Sequence, residues 1–576
     1  MSMTGGSIVL RALEDEGISL AFGIPGTHNI ELYDALAQST SVRSVLVTDE
    51  QSASFMADAV WRASGQMACV NVVPGAGLTH ALSGIAEAFM DHVPMLVLGC
   101  GIRRDTGKAF QLHDIDQRSI VAPVVKGTFL PTSGQELYGM LRQACALARA
   151  GAPGPVFVEV PVDLYLFTHD VSLPKSGGPA AAPRPEPDPA LLQRAVGLVR
   201  QARRPLIHVG AGAAGAAAEV LALAELLEAP VSTTFQGKGV FPERHPLFLW
   251  PGFGPAAPPF ARKVASSCDL TLAIGCRFSE VGTASYGLEP PGPLVHVDID
   301  ADALGRNYPA EVAVVADARA FVRGLLEEMK GGGRPGDAKL REQIRVGHAE
   351  VRDSWMKDVG GDLVTPAHLL GTAQKVFGPE AIFTTDSGNG TFLAMECLRL
   401  EGPGKFLAPV DYSCMGYAVP AALGAKLAKP ESPVVALAGD GAFLMTGLEL
   451  LTAAKEGLGV VVLVLRDREL AQIAQFQETA MNRKTASQVH DYDVAGLAAG
   501  LRIPALSLGH DDHVEGVLVE ADRLARRGSP VLVDVAIDYG RKTYFTQGVV
   551  KTNLHRLPLK DQVRFVARAV VRKFTE

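Results

Sequence analysis

The sequence predicts an α/β protein built from three doubly wound parallel-sheet domains. Three observations carry that prediction. Short apolar runs of strand length alternate with stretches of helical spacing, the pattern of βαβ units. Two stretches rich in proline and glycine, 174–189 and 330–337, are too poor in regular pattern for helix or strand and divide the 576 residues. The blocks they leave, 1–170, 190–335 and 360–545, are each the size of one domain, with 546–576 as a C-terminal helical tail.

In the first block, SVLVT (44–48), ACVNVV (68–73) and PMLVLG (94–99) read as buried parallel strands, with 82–90 helical between two of them. The second block runs PLIHVG (205–210), a helix over 216–229, PVSTTF (230–235), LTLAIG (270–275) and LVHVDID (294–300). The third runs AIFTTD (381–386), VVALAGD (434–440), a helix through Leu448 to Lys455, and VVVLVL (460–465). No sequence repeat relates the blocks. In the tail, Val563, Phe565, Val566 and Val570 have helical spacing and predict a packed terminal helix.

Composition closes off several functions. Hydrophobic residues make up 47% and charged residues 20%, so a large core forms without staples. The net charge of -8 gives no basic face for nucleic acid. No run of 18 apolar residues exists, so no membrane span is expected. The first residues lack a basic segment followed by an apolar one and read as mature protein. Seven scattered cysteines with no C-x-x-C imply a reducing cytoplasm, buried thiols and no structural zinc.

The chemistry starts at Gly439-Asp440-Gly441-Ala442, directly after a strand. Ligands of open α/β sheets lie at the carboxyl ends of strands. Glycines there let backbone approach a phosphate, and an aspartate can hold Mg²⁺ together with phosphate oxygens. After the next strand comes Arg466-Asp467-Arg468-Glu469. Asp440 and Asp467 therefore sit at the ends of two adjacent predicted strands, and two converging carboxylates need a cation.

At this point the chain resembles the thiamin diphosphate-dependent enzymes of the acetohydroxyacid (acetolactate) synthase and 2-oxoacid decarboxylase superfamily. GIPGTHNIELYDAL (23–36), TDEQSASFMADA (48–59), AFQ (109–111), KGVFPERHPL (238–247), VHVDID (295–300), MGYAVPAALGA (415–425) and QFQE (475–478) look like synthase landmarks in the right order. The three blocks match that family's pyrimidine-binding, middle and diphosphate-binding domains. The resemblance implies that Asp440, Asp467 and the backbone carbonyl of Glu469 hold Mg²⁺. The family's Asn pair is here Arg466-Asp467, with Arg466 expected to offset the extra charge. Glu50, at a strand's carboxyl end, matches the catalytic glutamate. Its carboxyl bonds N1′ of the aminopyrimidine and favours the imino tautomer that takes the C2 proton. Met415 matches the apolar wedge that bends the cofactor. Ser387, Gly388, Asn389, Gly390, Ser413, Gly439, Gly441, Ala442 and Leu470 match cofactor contacts. Thr27, His28, His80, Phe110 and Gln111 fall where relatives face C2, with Gln111, His28 and His80 as catalytic candidates. Gln472, Ile473 and Phe476 fall on the opposite wall.

Two middle-domain features bear on other cofactors. Gly210-Ala211-Gly212-Ala213-Ala214-Gly215 fits a dinucleotide fingerprint, but PVSTTFQG has no acid at its end, which argues against NAD. Arg277-Phe278-Ser279-Glu280-Val281-Gly282-Thr283 and Gly252-Phe253-Gly254-Pro255 depart from the segments that bind FAD in relatives, and Val281 replaces an arginine for the second substrate's carboxylate. FAD is therefore doubtful. The resemblance implies a carboligase acting on a 2-oxoacid such as pyruvate. A decarboxylase releasing an aldehyde is the runner-up, followed by a catalytically altered regulatory paralogue and, weakest, a nicotinamide-binding module. A homodimer is the minimum assembly, because two subunits share the cofactor, and a homotetramer is common.

Overall fold

The computed structural model describes residues 2–174, 177–179 and 183–575; of these, the side chains of 480, 553–555, 566 and 569–575 lie outside the description. Residues 175–176 and 180–182 of the first Pro/Gly stretch fall outside it as well.

Three six-stranded sheets, all parallel, carry the chain. In the first, strands Arg43–Leu46, Leu20–Gly23, Cys69–Val72, Leu96–Gly101, Val156–Pro161 and Thr128–Phe129 lie side by side in that order. In the third the order is Phe406–Leu407, Ile382–Thr385, Val434–Gly439, Val461–Arg466, Val531–Ala536 and Ala505–Leu508. Both follow one topology, second strand, first, third, fourth, sixth, fifth, although no sequence repeat betrays it. The middle sheet is wound differently: Phe248–Pro251, Val231–Thr233, Pro205–Val209, Leu270–Ile274, Leu294–Asp298, Val312–Val315. Strand residues such as Val70, Val97, Leu206, Leu272, Val435 and Val462 are fully buried, which is why these strands read as continuous apolar runs.

In the first and third sheets the winding reverses between the first and third strands. There, loops at the carboxyl ends splay apart and leave a crevice. Thr27 and His28 follow the strand Leu20–Gly23, and Ser387 and Gly388 follow Ile382–Thr385, so both crevices are lined by predicted site residues.

Helix Glu50–Ser64 packs lengthwise on helix Ala418–Ala428 and joins the outer two domains. A Cβ at Gly424 would lie 2.3 Å from the Met56 carbonyl oxygen, so this close crossing needs glycine. Glu449 strengthens the junction by accepting from Thr48 N (3.0 Å) and Thr48 Oγ1 (2.6 Å). The buried Lys238–Glu243 ion pair, with Lys238 also donating to the carbonyls of Met395 and Leu398, fastens the middle domain to the third.

Several expectations need correction. Between the second and third blocks, in residues that neither block claims, Ala338–Met356 is a helix that buries Leu340, Ile344, Val351 and Trp355 on one face. The second Pro/Gly stretch is pinned, because Arg334 donates to the carbonyls of Val199, Ala202 and Arg203. Helix Leu559–Thr575 packs on helix Ala471–Met481, yet Val563 on it is exposed; the side chains of Val566 and Val570 lie outside the described residues. All seven cysteines are unbonded, but Cys397 and Cys414 are half-buried rather than buried. Among the described residues no helix is long and apolar enough to cross a membrane.

Candidate active site

The first cluster grows from the strand Arg43–Leu46. Asp49 caps the following helix, its carboxylate accepting from Gln51 N at 2.8 Å. Glu50 is thereby the helix's first residue, held almost fully buried at 7% exposure. Gly77, after strand Cys69–Val72 two places along the sheet, makes room for it: a Cβ there would sit 3.0 Å from Glu50 Oε1. His80, exposed on the next helical turn, brings Nδ1 to 3.3 Å from Asp49 Oδ2 and 3.7 Å from Glu50 Oε2. At the crevice, Thr27 Oγ1 lies 3.1 Å from His28 Nδ1, and the His113 ring meets His28 edge-on at 5.5 Å. Burial and His113 hold the His28 pKa below the usual imidazole value, so His28 is neutral at pH 7. Gln111 is half-buried, and Phe110, at φ 58°, is fully exposed.

The second cluster lies on the third sheet. Gly439 ends its strand with open space where a Cβ would stand. Asp440 is buried; its Oδ1 accepts from Gly441 N and its Oδ2 from Arg468 N, each at 2.7 Å. Asp467, one strand over, accepts from Glu469 N at 3.2 Å. Burial and the Asp440 carboxylate push the Asp467 pKa up to about 7. Two carboxylates at adjacent strand ends, Asp440 raising the proton affinity of Asp467, beside Gly439 with its open space, are of the kind that suits a hard divalent cation.

Among the described residues Arg466 makes no ion pair with Asp467, although its charge still acts on Asp440 at a distance. Its guanidinium grips Asp534 through two bonds (2.8 and 2.6 Å) and reaches Asp491 at 2.8 Å, while Arg468 also pairs with Asp491. The side chain of Glu469 is spent on Lys484 at 2.8 Å. Leu470 covers Gly441, and its N–H donates to Ser487 O. Ala442 is buried. On helix Ala471–Met481, Gln472 and Phe476 are half-buried and Ile473 is exposed. Gln472 faces the turn at Gly388, its Oε1 4.0 Å from where a Cβ of Gly388 would be.

That turn is built for backbone approach. Gly388, at φ 133°, precedes helix Asn389–Cys397, and Gly390 sits in its first turn. Ser387 Oγ bonds Ser413 Oγ at 2.7 Å. Ser413, at φ 67°, opens the strap 413–416 that carries Met415, half-buried. The buried Asp386, pushed up to about 7 by burial, accepts from Ala418 N at 3.0 Å and holds the strap's far end.

Among the described residues, no hydrogen bond or ion pair joins the Glu50 cluster to the Asp440 cluster within one chain. Sequence reasoning missed His113, Asp49, Asp386 and Tyr492, whose hydroxyl donates to the Asp440 carbonyl at 3.2 Å. Asp49 lay inside a quoted motif and His113 beside one, so both were within reach; Tyr492 and the Arg466 partner Asp534 lie far along the chain and gave no local signal.

A cavity of about 1090 Å³ lies elsewhere, at the junction of all three domains. It is lined by the Gly210–Gly215 loop, Arg277 and Asp298. Gly210 and Gly212 answer to packing: a Cβ at Gly210 would lie 2.0 Å from Gly275 O and one at Gly212 2.9 Å from Gly275 Cα. Arg277 is committed to Met90 O, His92 and Asp411. Phe278 is buried among His208, His296 and Tyr308.

Comparison with known proteins agrees with this geometry. Three family models match in order: the N-terminal TPP binding domain of thiamine pyrophosphate enzymes over residues 3–120, their central domain over 192–325 and their C-terminal TPP binding domain over 386–535. The chain is 32% identical to a probable acetolactate synthase large subunit of Methanocaldococcus jannaschii, over 93% of this chain and 92% of that protein. It is 33% identical to the acetolactate synthase large subunit of Corynebacterium glutamicum, over 93% and 87%. It is 30% identical to the isozyme 3 large subunit of Escherichia coli, over 94% and 96%. Full-length likeness and three matched domains establish that this chain belongs to the thiamine pyrophosphate-dependent enzyme family.

Proposed function

We propose that the chain is a Mg²⁺- and thiamin diphosphate-dependent carboligase of the acetolactate synthase type, joining the acyl part of a decarboxylated 2-oxoacid such as pyruvate to a second carbonyl. One observation carries the reading: Glu50 and the Asp440–Asp467 pair form two incomplete half-sites, one with proton chemistry and one with a vacant charge for a cation. Two copies of the chain facing each other would complete both. A homodimer is then the minimum, with a homotetramer as the expected assembly, in the cytoplasm. The domain limits 1–170, 190–335, 360–545 and 546–576 belong to the same reading.

Bound between the half-sites, the cofactor supplies the carbanion chemistry; the protein binds, orients and tunes it. Asp440, Asp467 and the Glu469 carbonyl would hold Mg²⁺. Ser387, Gly388, Asn389, Gly390, Gly439, Gly441 and Ala442 offer small, backbone-rich contact to the diphosphate. Ser413, Met415 and Leu470 would contact the bound cofactor. The Glu50 carboxyl holds a proton at the aminopyrimidine ring nitrogen. Neutral His28, with Thr27 and Gln111, can accept or donate at a substrate oxygen, and His80 adds a second proton carrier beside Glu50. Phe110 and, across the interface, Gln472, Ile473 and Phe476 exclude water and set the acceptor's shape. FAD carries no step in this reading.

The test is product analysis by mass spectrometry with pyruvate, Mg²⁺ and thiamin diphosphate, with and without FAD and added aldehydes. Acetolactate or another ligated product is expected. Acetaldehyde alone overturns carboligation in favour of simple decarboxylation, and cofactor-bound protein that is inert on a 2-oxoacid panel overturns both.

A further inference from the structure

Beneath the Met415 strap lies a buried cluster that the proposed mechanism does not use. Glu87 and Asp91 stand one turn apart at the end of helix Ala76–Met90. Glu87 is fully buried, and the Asp91 side chain is too. One oxygen of each is accounted for: Glu87 Oε2 accepts from Cys414 N at 3.1 Å, and Asp91 Oδ2 accepts from Arg62 Nη2 at 2.8 Å. The other two, Glu87 Oε1 and Asp91 Oδ1, find no donor elsewhere among the described residues.

Burying two acceptor atoms without a donor is costly. The two carboxyl groups stand one turn apart on the same helix with both orphaned oxygens enclosed, and a proton placed between them would satisfy both. The surrounding charges call for the same proton. Asp91 faces Glu87 from its own helix, Asp58 and Arg62 from helix Glu50–Ser64, and Cys414 and Tyr417 from the third domain; Asp411, paired with Arg277 of the middle domain, acts on Asp91. Four acids thus share two arginines. Asp58 takes two bonds from Arg62 and one from Tyr417, and Asp411 takes Arg277. Glu87 alone has no cation of its own.

We propose that Glu87 and Asp91 share one proton, and that the neutral Glu87 carboxyl is a positioning residue for the cofactor-bending strap. The proton sits on Glu87 Oε1 and is donated to Asp91 Oδ1, leaving Glu87 Oε2 to anchor the Cys414 N–H directly before Met415. Cys414 Sγ, donating to Ser83 O one turn earlier on the same helix, makes a second anchor. Burial, followed by Asp91, raises the Glu87 pKa well above the usual carboxyl range, so the proton persists at neutral pH. This inference rests on the reading of Met415 as the cofactor's wedge.

The experiment compares the full-length wild type with Glu87→Gln and Glu87→Leu. A glutamine can donate to Asp91 and accept from Cys414 N as the neutral acid does; a leucine can do neither. Infrared difference spectra of the cofactor-free protein at pH 7.5 should contain the C=O stretch of a protonated carboxyl, absent from Glu87→Gln. Glu87→Leu should weaken thiamin diphosphate binding by calorimetry on the order of tenfold, about one buried hydrogen bond, and change the near-ultraviolet circular dichroism of the bound cofactor. Glu87→Gln should recover most of both and hold affinity to higher pH than the wild type, because it has no proton to lose. A wild type without the infrared band, a glutamine variant as impaired as leucine, or a leucine variant that binds normally would overturn the proposal. Should Glu87→Leu fail to fold, the infrared band and the glutamine variant decide alone. Absence of any cofactor binding by the wild type would defeat the Met415 reading, while the infrared band would still report on the shared proton.

Discussion

Glu50 and Gly77 show how much of the candidate chemistry depends on single atoms. Glu50→Gln keeps the shape and hydrogen-bonding reach of the side chain but cannot pass a proton. It should retain cofactor affinity by calorimetry and lose turnover by about 10²–10⁴-fold, the range of a lost general acid–base group; near-normal kcat would refute the role. Gly77→Ala would place a methyl 3.0 Å from Glu50 Oε1 and 2.9 Å from Val73 Cγ2, so the carboxyl must give way. Since a small misplacement of a catalytic group is expensive, kcat should fall roughly tenfold with thermal stability little changed. Asp467 and Arg466 mark the limit of reading residues one at a time. Their adjacency suggested mutual neutralisation. The structure turns Arg466 toward Asp534 on the next strand, because alternate strand residues point to opposite faces and the neighbouring strand supplies the acid.

At the scale of elements, the buried strands and the glycine turns at their ends were legible because each is a local pattern. Helix Ala338–Met356 was equally local in its spacing but followed a Pro/Gly stretch that reads as a linker, and so was passed over. The C-terminal helix Tyr544–Arg556 is held by something no local pattern contains. Glu396, fully enclosed, accepts from Trp355 Nε1 at 3.2 Å and from Tyr544 N, and Phe545 stacks on Phe392 at 4.1 Å. Burial pushes Glu396 up to about 7. A carboxyl with a raised folded pKa contributes stability while protonated and loses that contribution as pH rises from its unfolded value toward 7. Resistance of this segment to proteolysis should therefore fall between about pH 4.5 and 7, by at most a few kcal/mol in opening free energy. Glu396→Gln should flatten the profile; an unchanged slope would mean the titration lies elsewhere.

For the whole molecule, the decisive question is whether one chain or two make the site. The exposed apolar residues Phe110, Leu112, Leu444, Met445 and Leu448 lie around the two half-sites, as a surface met by a second copy would. Mixing Glu50→Gln with Asp440→Ala subunits, each inactive alone, after dissociation and reassembly should restore about a quarter of wild-type activity, since half the dimers carry one intact site. No recovery, with mixed dimers present, would place both halves within one chain. The amino-acid sequence by itself determined three α/β blocks, the strand ends that carry Glu50 and Asp440, and the family, because buried parallel strands and glycine turns are written in consecutive residues. Tertiary structure alone decided the shared winding of the outer sheets, the partners of Arg466 and the paired carboxyls Glu87 and Asp91 under the Met415 strap. Those depend on groups brought together from distant segments, where desolvation and charge act across space and leave no trace in local order.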